Sequence, residues 1–517
     1  MQKNMKRPQL VSQGSLARLL NSADEARKRH DFQECVEILE RASRLDPANV
    51  NILLNLGHAH GNNFNYPAAE RCFEKAIRLA PKKTEALAGA ALRAHSFGNH
   101  KMAAQYYRRA AEQKDVSPDA LVALAEISER QRQVEEAAQL IERALHLKPN
   151  LPPALLVRAR LERQAGRLVE AEQILKSFPR DADRDVRVRA HYELGAILDR
   201  QGRYDEAMAA WLQAKELLAP DAAPHIAGAQ EVRTRLKILR EKVNPETFRG
   251  WQKGRLELEP LRRMALLCGH PRSGTTLLEQ VLDSHPHIVS AEETNIFRDY
   301  AYPLLSREAP PEADILAVLE IAPATLLQQA RGSYFRCMES FLGQPVGERL
   351  LIDKNPILTF LIAPFVRIFP ETKFLVALRD PRDVCLSCFM QALQMNQSAA
   401  SYLTLAGTVE DYTALMATYQ TLAPMLEDTF IEVRYEDMVA DLESVTRRTL
   451  DFLGVAWDER VLRFDEHARQ KLVRSPTYAD VTKPVFKTAV GRWRNYQKYL
   501  EPYLENLEPF VQAFGYE

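Results

Sequence analysis

The chain has 517 residues, too many for one hydrophobic core, and typical domain sizes predict two or three folded units. Its 69 Lys and Arg residues balance 69 Asp and Glu residues, so the net charge favours neither nucleic acid nor an anionic membrane as a partner. Any anion-binding site must therefore be built locally, and we expect no nucleic acid and no membrane among the partners.

Cysteine content and hydrophobic runs indicate where the chain works. Its six cysteines are few and scattered, unlike the dense framework of a small secreted domain, which favours a reducing compartment. The polar opening segment MQKNMKRPQLVSQGSLARLL has no apolar core of signal-peptide length, and no run approaches the roughly 20 apolar residues that span a bilayer. These features predict a cytoplasmic location.

The first half of the chain has a period of 34 residues. Small side chains recur at three positions of the period: Ala42, Ala76, Ala110 and Ala144; Ala69, Ala103, Ala137 and Ala171; Gly57, Ala91, Ala125 and Ala159. Pro47, Pro81 and Pro149 end units. The pattern resembles the tetratricopeptide repeat, in which small residues let two helices approach closely and proline stops the second helix.

A last repeat is offset by two residues and has Gly195, Ala207, Trp211, Ala214 and Pro220 in the same roles. The resemblance predicts an all-α solenoid of five or six units over residues 14–222, after a flexible tail at 1–13 and before a linking helix at 223–258. Other helical bundles also space alanines at three or four residues, but a strict period favours the solenoid. Its concave face would bind a peptide, a partner protein or a second copy of the chain in a homodimer, or the repeats would only hold a catalytic domain in an oligomer.

From residue 259 the pattern changes to short apolar runs followed by helical segments, which predicts an α/β domain with a central parallel sheet. MALLCG at 264–269 is typical of a buried strand, and TTLLEQVLDSHP at 275–286 has helical spacing. GHPRSGTT lies between them. Backbone N–H groups and the positive end of the helix dipole converge at such a loop, so we expect it to bind phosphate or sulfate.

The loop has the spacing of a Walker A loop with a different cation. Gly269 and Gly274 are separated by four residues, but Thr275 occupies the position of the lysine that a nucleoside triphosphatase needs. Arg272 supplies the positive charge instead, and a guanidinium can hold two phosphate oxygens in one plane. The missing lysine disfavours a nucleotide kinase.

PRSGTTL followed by LDSHPHIVSAEET resembles the 5′-phosphosulfate-binding segment of sulfotransferases, especially of the animal tyrosylprotein sulfotransferases. The resemblance implies a P-loop-like sulfotransferase domain at 259–517 that uses 3′-phosphoadenosine-5′-phosphosulfate (PAPS) and no metal. The residues that would hold the phosphosulfate are Arg272, Ser273, Gly274, Thr275 and Thr276. A short match would fit an ordinary strand-to-helix turn, but the length of this one argues against that alternative.

Three later segments resemble the family in the same order. KFLVALRDPRDVCLSCF at 373–389 resembles the 3′-phosphate segment, which implies Arg379 and Ser387 as phosphate ligands. An arginine at this position could instead pair with Asp380 or Asp383.

A second such segment begins at 431, where Tyr435 matches a residue that contacts the nucleotide. The segment 474–493 resembles the closing loop of the family. Its residues at or near cofactor-contacting positions are Ser475, Lys483 and Arg492. The segment differs in length from the closing loop of the family by two residues, which makes the match of Ser475 less secure.

The resemblance also implies the catalytic residues. Lys354, in RLLIDKNP, matches the family lysine that stabilises the transferring group beside Arg272, although a lysine there could be a solvated loop charge. Glu293, in SAEET, lies 21 residues after Arg272, the same separation as the catalytic glutamate of the tyrosylprotein enzymes. A carboxylate there can take the proton of the acceptor hydroxyl as the new O–S bond forms. Glu292 is the rival and is expected in a structural ion pair.

Other reactive side chains near these segments are expected to be structural. His270 precedes the loop and His285 ends the helix, whereas the cytosolic small-molecule sulfotransferases use a histidine as the base. Cys385 and Cys388 form a CxxC without the second ligand pair of a zinc site. The animal enzymes have a disulfide between cysteines before the glutamates and before the lysine loop, and this chain has neither.

Two function hypotheses follow. The first is a PAPS-dependent sulfotransferase whose repeats recruit a substrate or partner; its acceptor would be a protein tyrosine, and a sugar or small-molecule hydroxyl stays open. The second is a repeat scaffold with an inactive transferase domain. Against an inactive domain, the chain has the residues that match the main catalytic and phosphate-binding positions of the family: Arg272, Glu293, Lys354, Arg379 and Ser387.

Overall fold

The structure is a computed structural model of the chain that describes residues 7–29, 31–254, 258, 260–307, 309–310, 313–393, 395–470 and 489–517. The chain divides into two compact units. The first comprises Met1–Leu161 with Glu339–Gln344, and the second comprises Glu162–Met338 with Pro345–Glu517. Across the described ranges, no helix is both long and apolar enough to cross a membrane.

Helices account for the regular structure of the first unit over its described residues, which confirms the predicted all-α repeat region. They are α1 (Arg7–Lys28), α2 (Phe32–Leu45), α3 (Val50–Asn62), α4 (Tyr66–Leu79), α5 (Lys83–Ser96), α6 (His100–Ala111), α7 (Pro118–Arg130), α8 (Val134–Leu147) and α9 (Pro152–Gln164), which runs into the second unit. Neighbouring helices pack in pairs, α1 with α2, α3 with α4, α5 with α6 and α7 with α8. Helix α1 begins at Arg7, so residues 7–13 of the segment predicted as a flexible tail are helical.

The periodic small residues lie where two helices touch. Ala69, Ala76 and Ala103 are fully buried. A Cβ on Gly57 would lie 2.4 Å from the ring of Phe73, so only glycine fits there. The close approach of each helix pair thus explains the 34-residue period.

The second unit contains a five-stranded parallel sheet, as predicted. The strands are β1 (Met264–Gly269), β2 (Ile288–Glu292), β3 (Leu350–Lys354), β4 (Lys373–Leu378) and β5 (Phe430–Arg434), in the spatial order β2-β3-β1-β4-β5. Every residue of the first three is buried, as expected for parallel strands covered on both faces. Strands β2 and β3 lie on one side of β1, whereas β4 and β5 lie on the other, so the strand order reverses beside β1. In open parallel sheets, ligands bind at such a point, outside the carboxyl ends of the strands.

The remaining helices of the second unit precede the sheet, connect its strands or follow them. Those before the sheet are α10 (Leu168–Lys176), α11 (Arg184–Arg200), α12 (Tyr204–Lys242) and α13 (Pro245–Lys253). Those within the α/β part are α14 (Thr275–Asp283), α15 (Ile315–Ile321), α16 (Ala324–Leu342), α17 (Ile362–Ile368), α18 (Pro381–Phe389), α19 (Gln397–Ser401), α20 (Leu405–Leu422), α21 (Tyr435–Ala440), α22 (Leu442–Leu453), α23 (Phe464–Gln470), α24 (Gln497–Leu500) and α25 (Leu504–Ala513).

Helix α12 corrects one prediction about the last repeat. Pro220 was expected to end that repeat before a separate linking helix, but α12, 39 residues long in total, continues through Pro220 and Pro224 to Lys242. A proline inside a helix costs about 3 kcal/mol. Contacts on both sides of the proline offset this cost, because Lys215 donates to the carbonyl of Tyr402 at 2.7 Å and Arg240 donates to the carbonyl of Ala414 at 3.0 Å.

The last repeat shares a hydrophobic core with the α/β part. The cluster combines Val188, Tyr192, Leu198, Ala207, Met208, Ala210, Trp211 and Ala214 of α11 and α12 with Leu386, Phe389, Met390, Trp493, Tyr496 and Leu500. The core therefore crosses the boundary that the sequence indicates between the repeats and the α/β domain.

Replacing Trp211 by alanine is expected to destabilise the second unit by about 3–5 kcal/mol, because its side chain fills this shared core. Trp211 is buried, and its indole packs so closely on Gly195 that a Cβ there would lie 2.2 Å from Nε1. Leu212→Ala is the control, since the adjacent Leu212 is 49% exposed. Thermal unfolding would measure both variants, and equal melting temperatures would contradict the shared core.

Candidate functional site

The loop between β1 and α14 has an unusual backbone. Gly269, Arg272 and Gly274 have φ values of 134°, 73° and 93°. Glycine is required at 274, because a Cβ there would lie 2.6 Å from Cδ2 of Tyr435. No side chain caps α14 at Gly274, which is the arrangement in which the N-terminal N–H groups of a helix receive an anion.

Gly274→Ala is expected to weaken nucleotide binding about tenfold, because a left-handed backbone with a Cβ costs about 1–2 kcal/mol and the methyl group displaces Tyr435. Gly332→Ala is the control, since a Cβ there meets no atom within 4 Å. Calorimetry with 3′-phosphoadenosine-5′-phosphate (PAP) measures the effect. Unchanged PAP affinity in Gly274→Ala would show that this loop does not touch the nucleotide.

The structure brings together four of the predicted ligand residues from separate elements. Arg272 donates from Nε to Oγ of Ser387 at 3.0 Å. Arg379, at the end of β4, donates from Nη1 to the carbonyl of Arg272 at 3.2 Å, and its guanidinium lies 5.0 Å from the ring centroid of Tyr435. Two guanidinium groups and a hydroxyl therefore lie beside the loop. Ser273 in the loop and Thr275 and Thr276 at the start of α14 are all buried.

The second arm of Arg379 is held by the last residues of the candidate closing loop at 474–493. Its Nη2 donates to the carbonyl of Ala489 at 2.5 Å and lies 3.8 Å from Oδ2 of Asp383. Asp383 also accepts from the N–H groups of Gly491 at 2.7 Å and Trp493 at 2.8 Å. Burial raises the pKa of Asp383, although Arg379 and these two N–H groups lower it. The carboxylate of Asp383 thus ties residues 489–493 to the site.

A second charged cluster lies at the ends of β2 and β3. Nζ of Lys354 lies 2.7 Å from Oε1 of Glu293 and 3.5 Å from Oε2 of Glu279. Lys354 and Glu279 are completely buried, whereas the Glu293 side chain is 42% exposed. Burial lowers the pKa of Lys354, but the charges of Glu279, Glu293 and Glu292 outweigh burial and raise it. The lysine is therefore held in its charged form.

The two adjacent glutamates differ in access. Glu292 is the last residue of β2 and is 3% exposed. Glu293 leaves the strand with a φ of 37°, and its backbone N–H donates to the carbonyl of Lys354 at 2.7 Å. The side chain of Asn355 holds the next turn by donating to the carbonyl of Thr294 at 2.7 Å. The accessible carboxylate is therefore the one predicted as the base.

Glu279 was not singled out in the sequence, although it belongs to this cluster. Its Oε1 accepts a hydrogen bond from Oγ of Ser290 at 2.5 Å. The sequence signal was a carboxylate between the apolar pairs Leu277–Leu278 and Val281–Leu282 in the middle of a helix. Recognising its role required its partner Lys354, which lies in β3, 75 residues further along the chain.

The predicted closing-loop residues have different outcomes. Ser475 and Lys483 lie outside the described residues. Arg492 is described, and its Nη2 lies 2.7 Å from Oδ2 of Asp199 in α11. Tyr496 donates to the other oxygen of Asp199 at 2.6 Å. A contact between Arg492 and the nucleotide therefore stays a prediction, and it would require this ion pair to open.

The side chains expected to be structural contact other protein groups. His270 is fully buried, and its Nδ1 lies 3.8 Å from Sγ of Cys388. Cys385 is buried in the same helix. Nε2 of His285 lies 2.9 Å from the carbonyl oxygen of Ala456. These contacts support structural roles for both histidines, which remain predictions.

A parallel sheet with a predicted anion loop after β1, two arginines at that loop and a Glu–Lys pair at neighbouring strand ends define an α/β domain of the P-loop-like type. A profile of the sulfotransferase family matches residues 265–459, so this part of the chain is a sulfotransferase-family domain. Profiles of the tetratricopeptide repeat match residues 54–118, 103–152, 130–190 and 180–223. The predicted combination of repeats and sulfotransferase domain is confirmed.

Known proteins are similar to the chain at low identity. An uncharacterized protein of Aquifex aeolicus is 26% identical over 336 residues, which are 63% of this chain and 42% of that protein. The protein-tyrosine sulfotransferase of Drosophila melanogaster is 27% identical over 243 residues, which are 45% of this chain and 47% of that protein. The chain thus spans less than half the length of either relative. The sulfotransferase domain of the Synechococcus PCC 7002 olefin synthase is 21% identical with a TM-score of 0.38, and the similarity covers 50% of this chain and 98% of that domain.

Proposed function

We propose that the chain is a sulfotransferase that moves the sulfuryl group of PAPS to an acceptor hydroxyl. The observation that carries this proposal is the cluster of Arg272, Ser387 and Arg379 at the anion loop. Arg272 and Arg379 each bring a guanidinium to this loop, and a guanidinium pairs with a phosphate through charge-assisted hydrogen bonds. The donor offers two phosphate-type groups, one at each end of its ribose.

In the proposed reaction the acceptor oxygen attacks sulfur, and the S–O bond to the 5′-phosphate breaks with its electrons leaving on PAP. Glu293 takes the proton of the acceptor hydroxyl. Lys354 and Arg272 stabilise the charge on the sulfuryl and bridging oxygens, as positioned cations do in phosphoryl transfer. The 2.7 Å contact between Lys354 and Glu293 supports this division of roles, because it puts base and cation side by side.

The nucleotide contacts are proposed residue by residue. The loop residues Ser273, Gly274, Thr275 and Thr276 bind the 5′-phosphate end with Arg272. Arg379 and Ser387 bind the 3′-phosphate, and Tyr435 contacts the nucleotide. Donor binding would exchange the hydrogen bond between Arg272 and Ser387 for phosphate contacts. Ser475, Lys483 and Arg492 are proposed to close over the bound nucleotide.

A protein tyrosine is the proposed acceptor, because relatives named protein-tyrosine sulfotransferase occur in fly and in zebrafish at 27% and 26% identity. The repeats would then recruit the protein substrate or a partner through their concave face. A sugar or small-molecule hydroxyl would need the same base and cations. We propose a cytoplasmic location from the scattered, free cysteines.

The test is binding of PAP compared with ATP and ADP by calorimetry. Micromolar affinity that requires the 3′-phosphate is the expected result, and it would justify an acceptor screen that begins with tyrosine peptides. Equal preference for ATP, or no binding, would overturn the transferase proposal and favour the repeat scaffold.

A further inference from the structure

Glu279 is a carboxylate without access to solvent. It is the fifth residue of α14, the helix that begins at the anion loop, and it is 0% exposed. Its Oε1 accepts a hydrogen bond from Ser290 in β2 at 2.5 Å, and its Oε2 lies 3.5 Å from Nζ of Lys354 in β3. Burying a carboxylate is strongly unfavourable unless it is paired and hydrogen-bonded. Glu279 has both kinds of contact, and its cation is the candidate catalytic lysine.

Lys354 therefore has two carboxylate partners with different surroundings. Glu293 is 42% exposed, so an acceptor can reach it, whereas Glu279 is enclosed by the protein. A single carboxylate would be enough to neutralise a buried lysine. The second carboxylate, Glu279, is best explained by the reaction, because Glu293 loses its charge during transfer and Glu279 does not.

Proton transfer provides that explanation, and this step rests on the proposed function. When Glu293 takes the proton of the acceptor hydroxyl, it becomes neutral and ceases to be a counter-ion. Lys354 is then buried without Glu293 at the moment when its charge is needed by the sulfuryl oxygens. We propose that Glu279 is a positioning residue that keeps Lys354 charged and in place while Glu293 carries the proton.

Ser290 completes this arrangement. Its hydroxyl occupies one oxygen of Glu279, which leaves the other oxygen directed at Lys354. Because Glu279 and Ser290 come from α14 and β2, the lysine is fixed relative to the anion loop and to the strand that leads to Glu293. The group that stabilises the sulfuryl oxygens is thus positioned by the same helix that binds the donor.

The alkaline limb of the kcat profile reports on the charge of Lys354. Carboxylates that face Lys354 raise its pKa against burial, and these are Glu279, Glu293 and Glu292, with Asp353 adjacent in the chain. A raised lysine pKa favours the protonated form, so activity that depends on the charge is retained until pH exceeds it. Removing the charge of Glu279 is expected to move the alkaline limb to lower pH.

The experiment is Glu279→Gln, which keeps the shape of the side chain and removes its charge. We expect kcat for transfer from PAPS to a tyrosine peptide to fall about 10- to 100-fold, while KM for PAPS and Kd for PAP change less than about threefold. The control is Asp353→Asn. Asp353 is equally buried and accepts from Tyr334 at 2.8 Å, which an amide oxygen can also do, so we expect near wild-type kcat. Glu279→Asp should recover part of the loss, because it restores the charge.

Wild-type kcat in a folded Glu279→Gln protein, or an unshifted alkaline limb, would overturn the role of Glu279. A rise of Kd for PAP in step with the fall of kcat would also overturn it, because that result reports a damaged donor site. If Glu279→Gln does not fold, Ser290→Ala gives the same comparison, with lower kcat expected at unchanged PAP affinity and equal kcat contradicting the proposal. Failure of the wild-type protein to bind PAP would instead overturn the proposed function, and this inference with it.

Discussion

Glu293→Ala is expected to slow sulfuryl transfer by about 10²- to 10⁴-fold while PAP affinity stays within about threefold of wild type. The acceptor hydroxyl then has no base beside it, so its proton must go to water. The donor loop is unaffected, because Arg272, Ser387 and Arg379 make their contacts without Glu293. Single-turnover transfer from PAPS to a tyrosine peptide measures the rate, and calorimetry measures PAP binding.

Two further variants distinguish loss of the proton acceptor from an indirect effect on Lys354. Glu293→Gln keeps a hydrogen-bond acceptor for Lys354 and should be as slow as the alanine variant. Glu292→Gln tests the rival carboxylate, and we expect it to transfer faster than either, since Glu292 is 3% exposed. Wild-type transfer by Glu293→Ala would mean that another group takes the proton. A slow Glu292→Gln protein would then identify that group.

The helical repeats could be predicted from the sequence because small residues recur at a fixed period, and two of them face a large side chain of the same repeat. Gly57 faces Phe73 and Gly195 faces Trp211, so the spacing of both partners is visible in the chain. The end of the last repeat could not be predicted in this way. Lys215, which helps to hold α12 across its prolines, bonds to a residue 187 positions away. Local rules favoured a break at proline, and tertiary contacts outweighed them.

For the candidate site, the order of strands in the sequence was the most informative feature. Parallel strands put their carboxyl ends at one edge, so Glu293 and Lys354 could be expected to meet once both followed strands. The positive φ of Arg272 and the burial of Glu279 were not visible, because each depends on residues from other elements. The ion pair of Arg492 with Asp199 depends on the shared core of the last repeat and the α/β part.

That shared core links the last repeat to the proposed nucleotide site. Asp199 in α11 binds Arg492 and Tyr496, and Asp383 in α18 binds the N–H groups on either side of Arg492. The segment that precedes α24 is therefore held by one carboxylate from the repeats and one from the helix that carries Ser387. Removing the last repeat would expose this core, so a fragment that carries the sulfotransferase-family domain is best defined from α11 onward.

Arg379→Ala is expected to weaken PAP binding by about 2–3 kcal/mol, or roughly 30- to 150-fold in Kd, because a charged hydrogen-bond donor to phosphate is lost. The loss should be specific to the 3′-phosphate. Binding of 5′-AMP, which lacks that phosphate, should change much less. The ratio of the Kd for 5′-AMP to the Kd for PAP should therefore fall toward one. Calorimetry with both nucleotides measures this ratio without any acceptor.

Arg382→Ala is the matched control, because Arg382 is as buried as Arg379 but its contacts stabilise the fold. It donates to Asp380 at 2.9 and 2.8 Å and lies 4.1 Å from the ring centroid of Trp493. Its loss should lower the melting temperature and leave the ratio of PAP to AMP affinity unchanged. Arg379 also contacts the carbonyls of Arg272 and Ala489, so some loss of stability is expected there too. If Arg379→Ala lowered both affinities equally, its role would be to support the loop, and the 3′-phosphate would bind elsewhere.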